Sequence, residues 1–274
     1  MLSKSNITHI AISVNMCYTF SMTDYGKIFT KELLLELYVN QRLFIKDIAK
    51  EYNCQYRTVS IYLKKYNIDR FLRYEELTEQ ENFALRGMAF GDGYICHRND
   101  RKYSHLKIVH TLKQNAYLQY KLGFVKKIVD KSLDSYKVFD TRTNKEYSSV
   151  GFTTISHPVI NEIYNDSYSQ NKKIISKVNL NKMNDLSLAL IFCDDGTCSR
   201  DRNQMSLATD CFSSEENELM AEWFQEKWNI KANITMKNYN QTRYHYLSFY
   251  GNNCDILSDI IRPYIIPEML YKIK

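Results

Sequence analysis

The stretch LRGMAFGDG, Leu85 to Gly93, decides how the chain is read, and LALIFCDDG, Leu188 to Gly196, echoes it. In the first copy Leu85, Met88, Ala89 and Asp92 stand at i, i+3, i+4 and i+7, one stripe of a helix, while Gly87 and Gly91 make a second face bare of side chains. Such a face predicts another backbone packed close against it. The glycine after each aspartate suits a helix end with positive φ, which places Asp92 and Asp195 at helix C-termini. There the dipole disfavours an anion, so a positive group is expected nearby.

Two such helices side by side bring the carboxylates together at one end of their interface. At ~5 Å and an effective dielectric of ~20, two negative charges repel by roughly 3 kcal/mol. Divalent cations would reverse that repulsion and gain hard oxygen ligands, so the pattern predicts Mg²⁺. A single D-G pair ending an apolar run reads more simply as a turn. The repetition favours a site.

With both copies in view, the sequence resembles the LAGLIDADG homing endonucleases. Leu85, Gly87, Asp92 and Gly93 match the fixed positions of the first motif, and Leu188, Ala189, Asp195 and Gly196 those of the second. The resemblance runs from about Thr78 to the C-terminus and is similar in kind to the single-chain, two-motif enzymes of mitochondrial introns, whose second motif also tends to end in D-D-G. Two positions depart from the pattern: Leu190 stands where the second motif has glycine, and Asp194 where it has a small residue.

The resemblance implies an α+β fold of two pseudo-symmetric α-β-β-α-β-β-α repeats and metal-assisted hydrolysis of both strands of a long, asymmetric DNA site by a monomer. The implied metal set is Asp92 and Asp195 with Gly91 and Asp194, holding Mg²⁺, with Mn²⁺ as a substitute. Lys173 in NKKI and Lys272 in LYKI match the family's lysines that approach the scissile phosphate, so the implied catalytic set is Asp92, Asp195, Lys173 and Lys272. Two other readings are an RNA-splicing maturase on the same fold, with intron RNA as a partner, and a transcriptional regulator with an inactive nuclease core.

The chain of 274 residues has room for two or three small domains. With 44% hydrophobic residues and only 8 Gly and 3 Pro, it reads as folded rather than disordered. An excess of 37 Lys and Arg over 31 Asp and Glu permits a polyanionic partner without demanding one. The 22 Tyr are explained equally by an AT-rich coding sequence. Seven cysteines without a C-x-x-C pair argue against a disulfide framework or a zinc ribbon and for a reducing compartment. No run approaches a membrane span and no secretory signal is visible, so an intracellular location, cytoplasmic or mitochondrial, is expected.

Residues 1–29 show no clear period and read as an arm of uncertain structure. Residues 30–72 read as a helix-turn-helix: Thr30 as N-cap before Leu33, Leu34 and Leu37, a second helix with Ile45, Ile48, Ala49 and Tyr52, a turn at Asn53 and Cys54, and a third helix from Gln55 to about Tyr66. The recognition helix would offer Gln55, Tyr56, Arg57 and Ser60 to a major groove, with Lys64 and Lys65 for phosphates. A trihelical bundle for protein contact is the alternative.

The repeats are expected at 73–183 and 184–274. In the first, a hairpin of Tyr94–His97 and His105–Thr111 turns at 99–102, a helix runs from about Lys113 to Val129, strands follow near Tyr136–Thr143 and Tyr147–Thr154, and a helix opens at His157 and Pro158. The second repeats the order, with Ser213 and Glu216 as a capping box before a helix to Trp228. Strand residues pointing away from the helices would read base edges: His97, Arg98, Lys107 and His110 in the first half, and Arg200, Arg202, Gln204, Lys237, Asn238 and Arg243 in the second. The histidines read as groove or phosphate contacts, since no pair has H-x-x-x-H spacing.

Overall fold

A helix not foreseen in the sequence, α1 (Met22–Ile28), precedes Thr30, whose hydroxyl accepts from the Leu33 amide and so caps α2 (Lys31–Leu34). In the computed structural model the described residues are 22–69, 72, 76–98, 103–141, 143–239 and 242–274. After α2 the chain continues through a wider helical turn, Leu35–Asn40, then α3 (Ile45–Glu51) and α4 (Tyr56–Lys65). The α3–α4 turn follows the predicted chemistry: Asn53 takes φ 49° and the Cys54 amide returns to the Ala49 carbonyl at 2.8 Å. Phe29, Leu34, Ile48 and Val59 are fully enclosed in this unit's core, which Tyr25 and Phe29 join from the stretch expected to be an arm. This compact unit ends at Tyr74, and a second spans Glu75–Lys274.

In the second unit the first repeat runs α5 (Glu79–Phe90), β1 (Tyr94–Cys96), β2 (His105–Thr111), α6 (Asn115–Val125), β3 (Val129–Asp140), β4 (Lys145–Thr154) and α7 (Pro158–Ser167). A small ribbon of β5 (Tyr168–Ser169) and β6 (Lys172–Lys173) and a short helix, α8 (Lys177–Asn181), lead to the second repeat. That repeat is α9 (Asp185–Asp195), β7 (Gly196–Ser199), β8 (Gln204–Leu207), α10 (Ser214–Trp228), β9 (Asn233–Tyr239), β10 (Thr242–Tyr250) and α11 (Asn252–Ile261). The two sheets share one antiparallel order, β1-β2-β4-β3 and β7-β8-β10-β9, so the pseudo-symmetric α-β-β-α-β-β-α fold is present in both halves of one compact unit.

Local chemistry sets the helix starts. Thr78 with Glu81, Asn184 with Ser187 and Ser213 with Glu216 form reciprocal capping boxes at α5, α9 and α10. In the strands alternate residues face the helices: Leu106 and Ile108 with Phe152 in one half, Met205 and Leu207 with Leu247 and Phe249 in the other, all nearly fully buried. Two boundaries differ from expectation: the stretch Thr197 to Arg202, which reads as a turn, opens with strand β7, and α6 ends at Val125, a short 3₁₀ turn follows, and β3 begins at Val129 rather than near Tyr136. β-branched Val129 there pairs with Thr154 on β4, which a continued helix would forfeit. The expected turn at 99–102 lies outside the described residues. Among the described residues no helix is long and apolar enough to cross a membrane.

Candidate active site

The two motif helices meet at their bare face. A Cβ on Gly87 would stand 2.7 Å from the Ser187 carbonyl oxygen and 2.8 Å from its Cα, so the backbones of α5 and α9 touch there. The contact falls on Ser187, one turn before Leu190, which is why a leucine at the second motif's glycine position is accommodated. Ser187 Oγ also donates to the Phe83 carbonyl at 2.8 Å, across the two helices.

The glycines after the aspartates serve space rather than conformation, which corrects the expectation of positive φ. Gly251 is the glycine with positive φ among the described residues. A Cβ on Gly93 would lie 2.4 Å from the Met88 carbonyl oxygen, and one on Gly196 2.4 Å from that of Phe192, so each turn folds back on its own helix end.

The positive groups expected near the helix ends are the two lysines. Lys173 Nζ donates to the carbonyls of Phe90, Gly91 and Gly93 at 2.9, 2.8 and 3.2 Å. Lys272 Nζ donates to those of Asp194 and Gly196 at 3.3 and 2.7 Å. Each ammonium therefore caps the C-terminus of a motif helix, where last-turn carbonyls want a donor and the dipole wants a cation. Burial pulls the Lys173 pKa down, while Asp195 opposes the shift.

Burial raises the pKa of Asp92, and the charge of Asp194 adds to the shift. Burial, then the charges of Asp92 and Asp194, push that of Asp195 up to about 7. Repulsion among neighbouring carboxylates is what a divalent cation relieves. The Asp194 side chain plays another part. It is fully enclosed, both its oxygens accept from Lys121 Nζ at 2.6 and 2.8 Å, and its Oδ2 accepts the Asp92 amide at 2.9 Å. One donor atom each of Asp92, His110 and Asp194 lie within 4.8 Å of one another. Lys121 already supplies that trio's cation, since its ammonium also lies 3.1 Å from His110 Nε2. Asp195 feels the charge of Asp92, and the Gly91 and Asp194 carbonyls accept from Lys173 and Lys272.

Lys121 was missed in the sequence, and the signal was there. On α6 it shares a buried stripe with Tyr117, Leu118 and Val125, and a lysine on an apolar stripe demands an interior anion.

The residues read as facing DNA divide. On α4, Gln55, Tyr56, Arg57, Lys64 and Lys65 are exposed, with Lys65 5.5 Å and 5.4 Å from the Tyr62 and Tyr66 ring centroids; Ser60 is half-buried and donates to the Tyr56 carbonyl. Arg98, Lys107, Arg202, Lys237 and Asn238 are exposed. Gln204 Nε2 donates to the Tyr250 hydroxyl, and the exposed Arg200 reaches the Leu270 and Ile273 carbonyls. The side chain of Arg243 lies outside the described residues. Two histidines are corrected. His97 is stacked 4.3 Å from Tyr164 with Nδ1 2.9 Å from Ser104 Oγ, and His110, 5% exposed, points inward because its strand position alternates with that of Lys107 by an odd number. The burial of His110 removes it from the groove-facing set, and His97 is half-buried.

The chain matches the LAGLIDADG DNA endonuclease family over residues 84–257. It is 34% identical over 133 residues to probable intron-encoded DNA endonuclease 3 of Mycosarcoma maydis, covering 47% of this chain and 95% of that one. It is 27% identical over 197 residues to the cytochrome b mRNA maturase bI2 of Saccharomyces cerevisiae, covering 69% of this chain and 46% of the maturase. Among solved structures, the homing endonuclease I-WcaI bound to its DNA recognition sequence shares the fold, with a TM-score of 0.64 at 22% identity, covering 78% of this chain and 91% of that one. The chain belongs to the LAGLIDADG DNA endonuclease family.

Proposed function

We propose that this protein is a monomeric, intracellular homing endonuclease that cuts both strands of a long, asymmetric DNA site with Mg²⁺, Mn²⁺ being able to substitute. The observation that carries the reading is that Asp92 and Asp195 stand at the ends of two touching helices, with both carboxyl pKa values raised by burial first and then by neighbouring carboxylates, Asp194 for Asp92, and Asp92 and Asp194 for Asp195. Asp92 and Asp195 would hold the metal, with the Gly91 and Asp194 carbonyls beside them. The chemistry supplied by bound Mg²⁺ is polarisation of a non-bridging phosphate oxygen and a lowered pKa for attacking water. Lys173 and Lys272 hold the two turns in place and put positive charge next to the carboxylates, where it offsets the charge of a phosphate brought between them.

Lys107, Arg202, Lys237 and Asn238 lie on or beside the sheets and suit contacts to base edges and phosphates. The N-terminal unit supplies a second DNA contact through the exposed Gln55, Tyr56 and Arg57 at the start of α4 and Lys64 and Lys65 at its end. Cleavage selection on a randomised duplex library in Mg²⁺ tests the whole reading: recovery of one long site cut on both strands supports it, and no cleavage of any sequence contradicts it. The similarity to the bI2 maturase favours a second role in intron RNA splicing. Binding of the host intron RNA with the selected DNA as competitor tests that role.

A further inference from the structure

The polar contacts around Asp92 form a chain that begins at its backbone and ends beside its carboxylate. Its main-chain N–H donates to Asp194 Oδ2 at 2.9 Å, and Asp194 accepts from Lys121 Nζ at 2.6 and 2.8 Å. Lys121 Nζ lies 3.1 Å from His110 Nε2, and His110 Nδ1 returns to Asp92 Oδ2 at 3.6 Å. An ammonium only donates, so Nε2 accepts and the imidazole proton sits on Nδ1, facing the Asp92 carboxylate. The network thus holds Asp92 by its backbone, through Asp194, and sets the His110 ring beside its carboxylate. The Lys121 side chain and that of Asp194 are wholly enclosed, with the ammonium 4.5 Å from the Tyr117 ring centroid.

Among the described residues no equivalent network serves Asp195. The position matching Asp194 in the first motif is Gly91, so no carboxylate returns to the Asp195 amide. The missing side chain is itself required, since a Cβ on Gly91 would stand 2.2 Å from Asp194 Oδ2. Register places Thr209 where the first half has His110: Tyr94 pairs with Lys107 and Thr197 with Ser206, and three residues further on stand His110 and Thr209. The Thr209 hydroxyl bonds to Asn217, an uncharged and fully buried pair. Stability gives no account of the difference, because a buried ion pair generally does no better than apolar residues of the same volume.

We propose that Lys121 is a positioning residue for one half-site: through Asp194 and His110 it fixes Asp92, and so governs cutting of one DNA strand and not the other. The proposal rests on Asp92 and Asp195 being the metal ligands. It makes the enzyme asymmetric by construction, with one aspartate reached through an interior cation's network and the other, among the described residues, without one.

The test compares the parent with Lys121→Met, which leaves Asp194 buried and unpaired, and with Lys121→Met/Asp194→Leu, which removes both charges at nearly constant shape and keeps the question answerable if the single variant does not fold. Thr209→Val serves as the second-half control. Each strand of the selected duplex is end-labelled in turn and cut under single-turnover conditions in Mg²⁺, and amide exchange of Asp92 is followed by NMR in the metal-free protein. The expected result is a shift in the ratio of strand rates of ~10-fold or more in both Lys121 variants, with nicked duplex accumulating, while Thr209→Val keeps the parent ratio. The Asp92 amide should lose protection in both variants, and affinity for the duplex in Ca²⁺ should hold. Equal slowing of both strands, an unchanged ratio, or an Asp92 amide as protected as in the parent would overturn the proposal. A parent that cuts no DNA would instead count against the endonuclease reading itself.

Discussion

Gly87 lies so close to Ser187 that a methyl group on the glycine would stand 2.7 Å from the serine's carbonyl oxygen, and this contact joins α5 and α9, at whose ends Asp92 and Asp195 stand. The clash would be with backbone, which cannot swing aside as a side chain can. Gly87→Ala should therefore cost ~1 to 3 kcal/mol of unfolding free energy, in the manner of an overpacked core. Gly123→Ala is the control. That glycine sits exposed within α6 with nothing within 4 Å of its would-be Cβ, and alanine there should stabilise by about 0.4 to 1 kcal/mol through the unfolded chain. Urea denaturation of both variants gives the two signs, and a neutral Gly87→Ala would mean the helices do not touch there.

Asp195 sets a pH dependence of opposite sense to most carboxylates. Its pKa rises on folding from 3.8 to about 7, so between those values the folded state holds a proton that the unfolded state has lost. Stability from this group is fully present below pH 3.8 and is lost as pH rises through about 7. Asp92 shifts in the same direction. Without divalent metal, the melting temperature should fall from pH 5 to pH 8. Asp195→Asn should flatten that slope and melt higher than the parent at pH 8. A parent profile that rises over the range, or an asparagine variant with the parent's slope, would contradict the assignment.

Much of this was legible in the sequence because the motifs repeat and their glycines have few other uses. The bare face of Gly87, the helix-terminal aspartates, the need for a positive group and the repeat order all follow from spacing and helix chemistry. What escaped was what depends on partners distant in the chain. Lys121 sits 73 residues from Asp194, and only the crossing of α5 and α9 shows that a carboxylate at the second motif's small-residue position points into the first half. His97 was misread for a related reason, since a stacked tyrosine settles which way its ring faces, whereas the inward face of His110 was legible in its alternation with Lys107. The start of β3 was lost because Val129 reads equally well at the end of a helix.

The N-terminal unit is tested by salt. If Arg57, Lys64 and Lys65 contact phosphates, replacing all three with glutamine should weaken binding of a duplex carrying the selected site and its flanks. The slope of log K against log salt should also flatten by roughly 0.9 per lost contact, about 2.7 in all. Cutting at low salt should persist, because the aspartates and both sheets lie in the other compact unit. Equal slopes for parent and triple variant would leave protein contact as the better account of these helices.

The central claim is that Asp92 and Asp195 together hold the catalytic metal, and the most direct measurement is single-turnover cleavage of the selected duplex in Mg²⁺ by Asp92→Asn and Asp195→Asn, alongside duplex binding in Ca²⁺. Each change removes an anionic ligand at constant side-chain size. Double-strand cutting should be abolished in both variants while binding persists. Full double-strand activity in either one would contradict the account.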